Sequence, residues 1–304
     1  MAEKNIKDFG RLITAMATPF DREGRVDYAR AAELAGRLVE QGSDGLVVHG
    51  TTGESPTVTS EETKELYRTV LKAVGDRAAV IAGSGSNDTA HAIRETQEAE
   101  KIGVHGALIV VPYYNRPSQE GMKAHFKAIA SATKLPIMIY NIPGRTGVNM
   151  LPDTVAALAR VINITSIKES SGNLDQIAEV REKTPAAFRV YSGDDNLTFP
   201  ILERGGYGVV SVASHIAGRE IKQMIDYFMT DRRDEAKKIH EWLMPLFQVL
   251  FITANPTPLK AALEMIGFPI GGLRLPLIPA TENEKQKIRT ILSELKLLTP
   301  AGRA

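Results

Sequence analysis

The sequence predicts an α/β protein, a (β/α)8 TIM barrel followed by a C-terminal helical extension. Eight short β-like runs recur roughly every 25 to 30 residues, the length of one βα unit. They are nearly continuous apolar runs, the pattern of strands buried on both faces of a parallel sheet. Amphipathic segments lie between them, and past residue 231 the alternation gives way to helical segments and a Pro/Gly-rich stretch, FPIGGLRLPLIP.

In chain order the runs are LITAMAT from Leu12, GLVVHG from Gly45, AAVIAG from Ala78, GALIVVP from Gly106, PIMIYN from Pro136, INITSIK from Ile162, FRVYSG from Phe188 and GVVSVA from Gly208. The first connecting segment, 28–41, places Ala31, Leu34, Ala35 and Leu38 on one face, and Gly42 follows as a stop. Thr59 and Glu62 have capping-box spacing at the start of the second helix, and Asn87-Asp88-Thr89 opens the third. Further helices are expected from Ser118, Pro152, Asn173, Asn196 and Gly218. Eight such units satisfy a closed barrel, with an open doubly wound sheet as the alternative. Beyond a catalytic barrel over 1–231, helices are expected over 234–253, 258–266 and 282–298. The segment 232–304 thus reads as a helical extension packed on the barrel, with no second catalytic domain.

Composition narrows the function. The 304 residues carry 37 Lys and Arg against 36 Asp and Glu, with no long block of one sign. That balance gives no footing for nucleic acid or an anionic membrane. Absence of cysteine excludes disulfide scaffolds, Cys-ligated zinc, iron–sulfur clusters and thiol nucleophiles. Apolar runs are too short to span a bilayer, and the first residues lack a signal-peptide stretch, so a cytoplasmic enzyme or binding protein is expected.

In a (β/α)8 barrel the carboxyl ends of the strands carry the active site. Those ends hold Thr18-Pro19, Gly50-Thr51-Thr52-Gly53-Glu54, Gly83-Ser84-Gly85, Tyr113-Tyr114, Tyr140-Asn141, Lys168-Glu169, Gly193-Asp194-Asp195 and Ser211. They contain no metal-ligand cluster. Lys168 stands out: alternation puts it on one face with Ser166 and Ile164, aimed into the barrel mouth. A lysine desolvated there is the type of residue that supplies a free amine for Schiff-base chemistry on a carbonyl substrate. Such chemistry needs a proton shuttle, and Tyr140, ending the preceding strand, is placed to be one. Elsewhere a core tyrosine and a snorkelling lysine are the ordinary readings.

The glycine-rich stretches are less specific. Gly83 to Asn87 lacks the Gly-Lys-Ser/Thr ending of a P-loop and is explained by a tight βα turn. Gly50-Thr51-Thr52-Gly53-Glu54 reads as a turn with a cap, or as a carboxylate pocket of two hydroxyls and adjacent amides. Asp194 and Asp195 have no partner with a clear role, and Gly193 borders the substrate space. Histidines at 91, 105, 125, 215 and 240 form no metal pair and read as core or surface imidazoles.

Together TAMATPF, GTTGES, PYYNRP, YNIPGRTG, IKESSGNL, SGDD, GVVSVASH, NPTPLK and LRLPLIP resemble, in order and over nearly the whole chain, the dihydrodipicolinate synthase and N-acetylneuraminate lyase family of Schiff-base lyases. The resemblance implies a homotetramer built from tight dimers, with no cofactor. By resemblance Lys168 forms an imine with pyruvate and Tyr140 relays protons. Thr51 links Tyr140 to Tyr114 of the partner subunit, Thr52 holds the pyruvate carboxylate, and Gly193 and Val210 complete the substrate site. Arg145, in YNIPGRTG, grips the carboxylate of aspartate semialdehyde, for which a planar guanidinium is well suited. Arg145 with the Thr51-Thr52 pair favours condensation of pyruvate with aspartate semialdehyde to 4-hydroxy-tetrahydrodipicolinate, in diaminopimelate and lysine biosynthesis. A 2-keto-3-deoxy sugar-acid aldolase or N-acetylneuraminate lyase is the alternative within the family, and a metabolite-binding barrel the alternative outside it. Lysine-inhibited members bind lysine through equivalents of Ser55, Asn87 and Tyr113 with a nearby glutamate. Here His91 stands at the glutamate's place, and Ser60 and Thr63 stand where sensitive members often carry histidines. Insensitivity to lysine is therefore expected, unless Glu95 substitutes.

Overall fold

The computed structural model describes residues 8–298. Its strands are β1 (Leu12–Ala15), β2 (Gly45–Val48), β3 (Ala79–Gly83), β4 (Gly106–Val110), β5 (Ile137–Asn141), β6 (Ile164–Glu169), β7 (Arg189–Ser192) and β8 (Gly208–Ser211). Each pairs in parallel with its sequence neighbour and β8 returns to β1, so the barrel is closed and the open-sheet alternative is excluded. The crossovers are α1 (Tyr28–Glu40), α2 (Ser60–Val74), α3 (Thr89–Ile102), α4 (Gln119–Ser131), α5 (Pro143–Thr146), α6 (Pro152–Leu158), α7 (Leu174–Lys183), α8 (Thr198–Glu203) and α9 (Ser214–Met229).

Capping chemistry sets the helix starts. Thr59 and Glu62 make the expected reciprocal box on α2, while Asp88, Ser118 and Asn173 cap α3, α4 and α7 with side-chain oxygens. Strand alternation then sorts the apolar residues into two layers. Ile13, Val47, Ile81, Leu108, Met138 and Tyr191 fill the barrel. Their neighbours Leu12, Leu46, Val80, Ile109, Ile139 and Val190 face the helices. Each such burial removes a side chain from water for roughly 1.5–3 kcal/mol. Phe9 packs with the inner layer, and the Tyr191 hydroxyl donates to the Gly10 carbonyl at 2.8 Å.

One inference from strict alternation fails. The register jumps from Ile137 opposite Ile164 to Met138 opposite Ser166, leaving Thr165 as an extra residue in β6. Ile164 and Ile167 therefore both pack with the helix layer, and Lys168 does not share a face with Ile164. The bulge restores the parity that brings Lys168 inward. The strand also starts later than expected, because Ile162 sits in the preceding turn, 82% exposed.

The short helix α5, inside YNIPGRTG, is not readable from periodicity over four residues. The expected start of a helix at Asn196 becomes a 3-10 turn over Asp195–Leu197 followed by α8. Helix α9 begins at Ser214 and is interrupted at Ala217, so Gly218 marks only its second segment. Three further helices, α10 (Arg233–Val249), α11 (Thr257–Met265) and α12 (Glu282–Glu294), follow. Helix α10 packs on α9, and α12 packs on α10 and α11. Two ends come four residues earlier than expected: the chain turns after Leu250, and Lys296 adopts a left-handed conformation beyond α12.

Candidate active site

Lys168 and Tyr140 lie opposite each other in the β5–β6 register, at the carboxyl ends of their strands. Both are nearly buried, 6% exposed, and the Lys168 Nζ stands 4.2 Å from the centre of the Tyr140 ring. Glycine at 193 makes room for this lysine. A Cβ there would lie 1.9 Å from the Ser170 Oγ and 3.0 Å from the Lys168 Cε and Cγ, so a larger residue would collide with Ser170 and crowd the lysine side chain. Val210 faces the barrel interior in the same inner cluster as Tyr140 and Tyr191.

Two carboxyls, Asp194 and Asp195, act electrostatically with the lysine, and a third, Glu169, follows it in β6. Asp195 is buried and accepts from the Ser211 Oγ and from the backbone N–H groups of Val212 and Ala213 at 2.5, 3.0 and 2.9 Å. These bonds tie the β7 and β8 ends together. Burial pushes the carboxyls of Asp194 and Asp195 above their ordinary range, and the Lys168 charge opposes the push in both. Asp194 also feels the positive charge of Arg145. Glu169, fully buried, is pushed up to about 7 by desolvation, against hydrogen bonds from the Asn141 Nδ2 and the Ser171 N–H.

The GTTGE turn after β2 is held from the other end of the chain. Thr52 Oγ accepts a 2.9 Å hydrogen bond from the Asn255 Nδ2. Glu54, in a left-handed conformation, forms a 2.7 Å buried ion pair with Lys260 and accepts from the Arg274 N–H at 3.0 Å. Desolvation lowers the proton affinity of Lys260 while Glu54 raises it. The Thr18 hydroxyl donates to the Gly53 carbonyl at 2.7 Å. TAMATPF, GTTGES, NPTPLK and LRLPLIP, scattered in sequence, thus converge on one loop.

A cleft of about 480 Å³ opens at this mouth, lined among others by Thr51, Tyr140, Arg145, Ser55, His91 and Tyr113. Lys168, Thr52, Gly193 and Val210 are not among its lining residues. Arg145, on α5, is exposed. Tyr114 is outside the cleft lining, 89% exposed, with a positive φ of 70°. Asn87 does not line the cleft either; its carbonyl accepts from the Asn115 side chain. Glu95 does line it and accepts from the Ser60 hydroxyl at 3.2 Å.

A model of the dihydrodipicolinate synthetase family matches residues 8–295. The chain belongs to this family. It is 55% identical over 292 residues to a 4-hydroxy-tetrahydrodipicolinate synthase of a Cyanothece strain, covering 96% of this chain and 99% of that one. An enzyme of the same name from Desulforudis audaxviator is 54% identical over 291 residues, with coverage of 96% and 99%. Among solved structures, a DHDPS from Cyanidioschyzon merolae with lysine bound superposes with a TM-score of 0.93 at 51% identity, covering 95% of this chain and 99% of that chain. A dihydrodipicolinate synthase of Bacillus anthracis gives 0.92 at 47%, covering 94% and 98%.

Lys168, Tyr140, Thr51 and Arg145, expected together from their strand ends and the family likeness, come to one mouth in the fold. Asn255, Lys260 and Glu54 carry no such expectation. NPTPLK was visible as a motif, but its contact with the β2 turn spans about two hundred residues and leaves no periodic trace. His49 also lines the cleft; its Nδ1 is 2.9 Å from the Gly83 carbonyl, and burial lowers its proton affinity.

Proposed function

We infer that this chain is a lyase that condenses pyruvate with L-aspartate 4-semialdehyde to 4-hydroxy-tetrahydrodipicolinate, a step of diaminopimelate and lysine biosynthesis. The observation that carries this reading is a buried lysine amine stacked over a tyrosine at the barrel mouth, in a chain more than half identical to synthases of that name. Lys168 Nζ attacks the pyruvate carbonyl, whose oxygen leaves as water, and the resulting imine makes the methyl carbon acidic. Loss of that proton gives the enamine that adds to the aldehyde. Tyr140 moves protons through Thr51 to Tyr114 of the partner subunit. Thr52 holds the pyruvate carboxylate beside Gly193 and Val210, and Arg145 receives the carboxylate of the aldehyde.

Arg145 at the mouth favours this substrate over the sugar acids of the rival aldolases. No helix among the described residues is long and apolar enough to cross a membrane. Within the same reading the enzyme works in the cytoplasm as a homotetramer of tight dimers, with residues 1–231 as the catalytic barrel and 232–304 as its helical extension. Ser55, Asn87, His91 and Tyr113 form its candidate regulatory group. The test is to incubate the protein with pyruvate and borohydride, weigh it, and then assay candidate aldehydes. One reduced pyruvate per chain and turnover of aspartate semialdehyde are expected. No mass gain, or turnover confined to sugar-derived aldehydes, would overturn the assignment.

A further inference from the structure

Thr52 and Asn255 meet across 203 positions of sequence, both nearly buried, at 3% and 5% exposure. As the amide is placed, its Nδ2 faces the Thr52 oxygen, while the Asn255 Oδ1 is buried without a partner. An amide NH2 only donates, so the Thr52 oxygen is the acceptor and its own proton must point elsewhere. Among the described residues no protein acceptor takes that proton. The bond has firm support on both sides. Asn255 sits in the turn between α10 and α11, three residues on from it Pro258 enters α11, and Lys260 of that helix is locked to Glu54, two positions past Thr52. Lys260 also donates to the Gly272 carbonyl at 2.5 Å, and Arg274 binds Glu62 through both terminal nitrogens at 2.6 and 2.8 Å. The extension therefore grips the β2 turn at Thr52 and again at Glu54.

We propose that Asn255 is a positioning residue of the 2-oxo-carboxylate site, fixing the Thr52 hydroxyl as a donor aimed at the carboxylate of pyruvate. The proposal rests on the reading of Thr52 as the carboxylate's ligand. A free hydroxyl rotates among its acceptors, whereas one whose oxygen is already engaged presents its proton in one direction before the substrate arrives. Pre-set donors of this kind cost no reorganisation when an anion binds. The C-terminal extension is in this view part of the substrate site, although none of its residues need touch the substrate.

The discriminating variant is Asn255→Asp, which keeps the shape but replaces the donor by an acceptor. The Thr52 proton then turns toward the new carboxylate, and a negative charge stands behind the site meant for another. At pH 8 the KM for pyruvate should rise on the order of 100-fold, with the KM for aspartate semialdehyde within about twofold of wild type. Lowering the pH should recover pyruvate binding relative to wild type, measured as the pyruvate dependence of borohydride trapping, because the introduced carboxyl donates again once it is protonated. Asn255→Ala, which brings in no charge, should raise the pyruvate KM roughly tenfold without that pH response, and keeps the test open if the aspartate variant fails to fold. A wild-type pyruvate KM in Asn255→Asp, or equal losses for both substrates, would overturn the proposal. Thr52→Val separates the two layers of argument. If it leaves the pyruvate KM unchanged, the reading of Thr52 falls and this proposal with it; if it impairs pyruvate while both Asn255 variants behave as wild type, only the role of Asn255 falls.

Discussion

The floor of the barrel mouth and its rim are built on opposite plans. On the floor Lys168, Tyr140 and Thr52 are nearly buried, each held by a strand register, a stacked ring or a hydrogen bond within the same chain. On the rim Arg145 is exposed, and Tyr114 holds a large aromatic ring in solvent on a left-handed backbone. A left-handed bulky residue is a costly conformation, and an exposed ring gains little from its own chain. On the proposed reading, the groups assigned to pyruvate are the ones already held within the chain, and those assigned to the second substrate or to a partner subunit are the ones left exposed.

The largest expected effect tests the floor. Lys168→Ala should lose turnover by on the order of 10⁴-fold or more and take up no borohydride-trapped pyruvate, while circular dichroism shows an intact barrel. Trapping at a different lysine would break the distinction. Arg145→Ala tests the rim. It should lower kcat/KM for aspartate semialdehyde by about 3 kcal/mol, roughly 100-fold, and leave imine formation with pyruvate near wild type. Equal loss of both steps would place Arg145 with the floor, as a structural residue.

Next to Lys168 in β6, Glu169 is a buried acid. Glu169 is raised from 4.5 to about 7 by burial. An acid held above its unfolded value keeps its stabilising proton below about pH 4.5 and loses it as pH rises through 7, so folding stability should fall across that window. The difference is worth on the order of 3 kcal/mol. Urea unfolding at pH 5 and pH 8 should show the decline in wild type and a flatter profile in Glu169→Gln. Parallel profiles would mean that Glu169 does not titrate there.

A smaller effect belongs to Tyr114. Tyr114→Phe should remain folded and lose about tenfold in kcat, the scale of one member of a proton relay. Dilution below the dimer dissociation range, followed by light scattering and assay together, should lower activity in step with dimer mass. A fully active monomer would show that the ring serves its own subunit.

Much of this contrast is legible in the sequence, and for physical reasons. Period-2 and period-3.6 patterns are local, so eight strands, their helices and the caps at Thr59, Ser118 and Asn173 can be read directly. Lys168 and Tyr140 follow from their strand ends. The bulge at Thr165 is hidden because one extra residue leaves the apolar run unbroken. Asn255 and the Glu54–Lys260 pair are hidden because a contact between distant segments has no period. An exposed ring such as Tyr114 has no periodic signature, and only the likeness to a family singles it out.

The smallest expected effect concerns the proposed regulatory group in the cleft. Ser55, His91 and Tyr113 line it, with Glu95 beside them and engaged by the Ser60 hydroxyl. A cationic amino acid entering there meets an imidazole at 91 where its ammonium group needs a carboxylate. Glu95 lies one helical turn along α3 and already accepts a hydrogen bond, so using it requires exchanging that bond and shifting the ligand along the cleft. An ammonium buried without a direct partner loses several kcal/mol, which lowers affinity by orders of magnitude. Lysine at millimolar concentration should therefore leave the steady-state rate nearly unchanged, and His91→Glu should create or sharply strengthen inhibition. Half-inhibition of the wild type below about 1 mM, abolished by Glu95→Gln and indifferent to His91→Glu, would show that the charge partner has moved one turn along the helix and that this part of the rim is as complete as the floor.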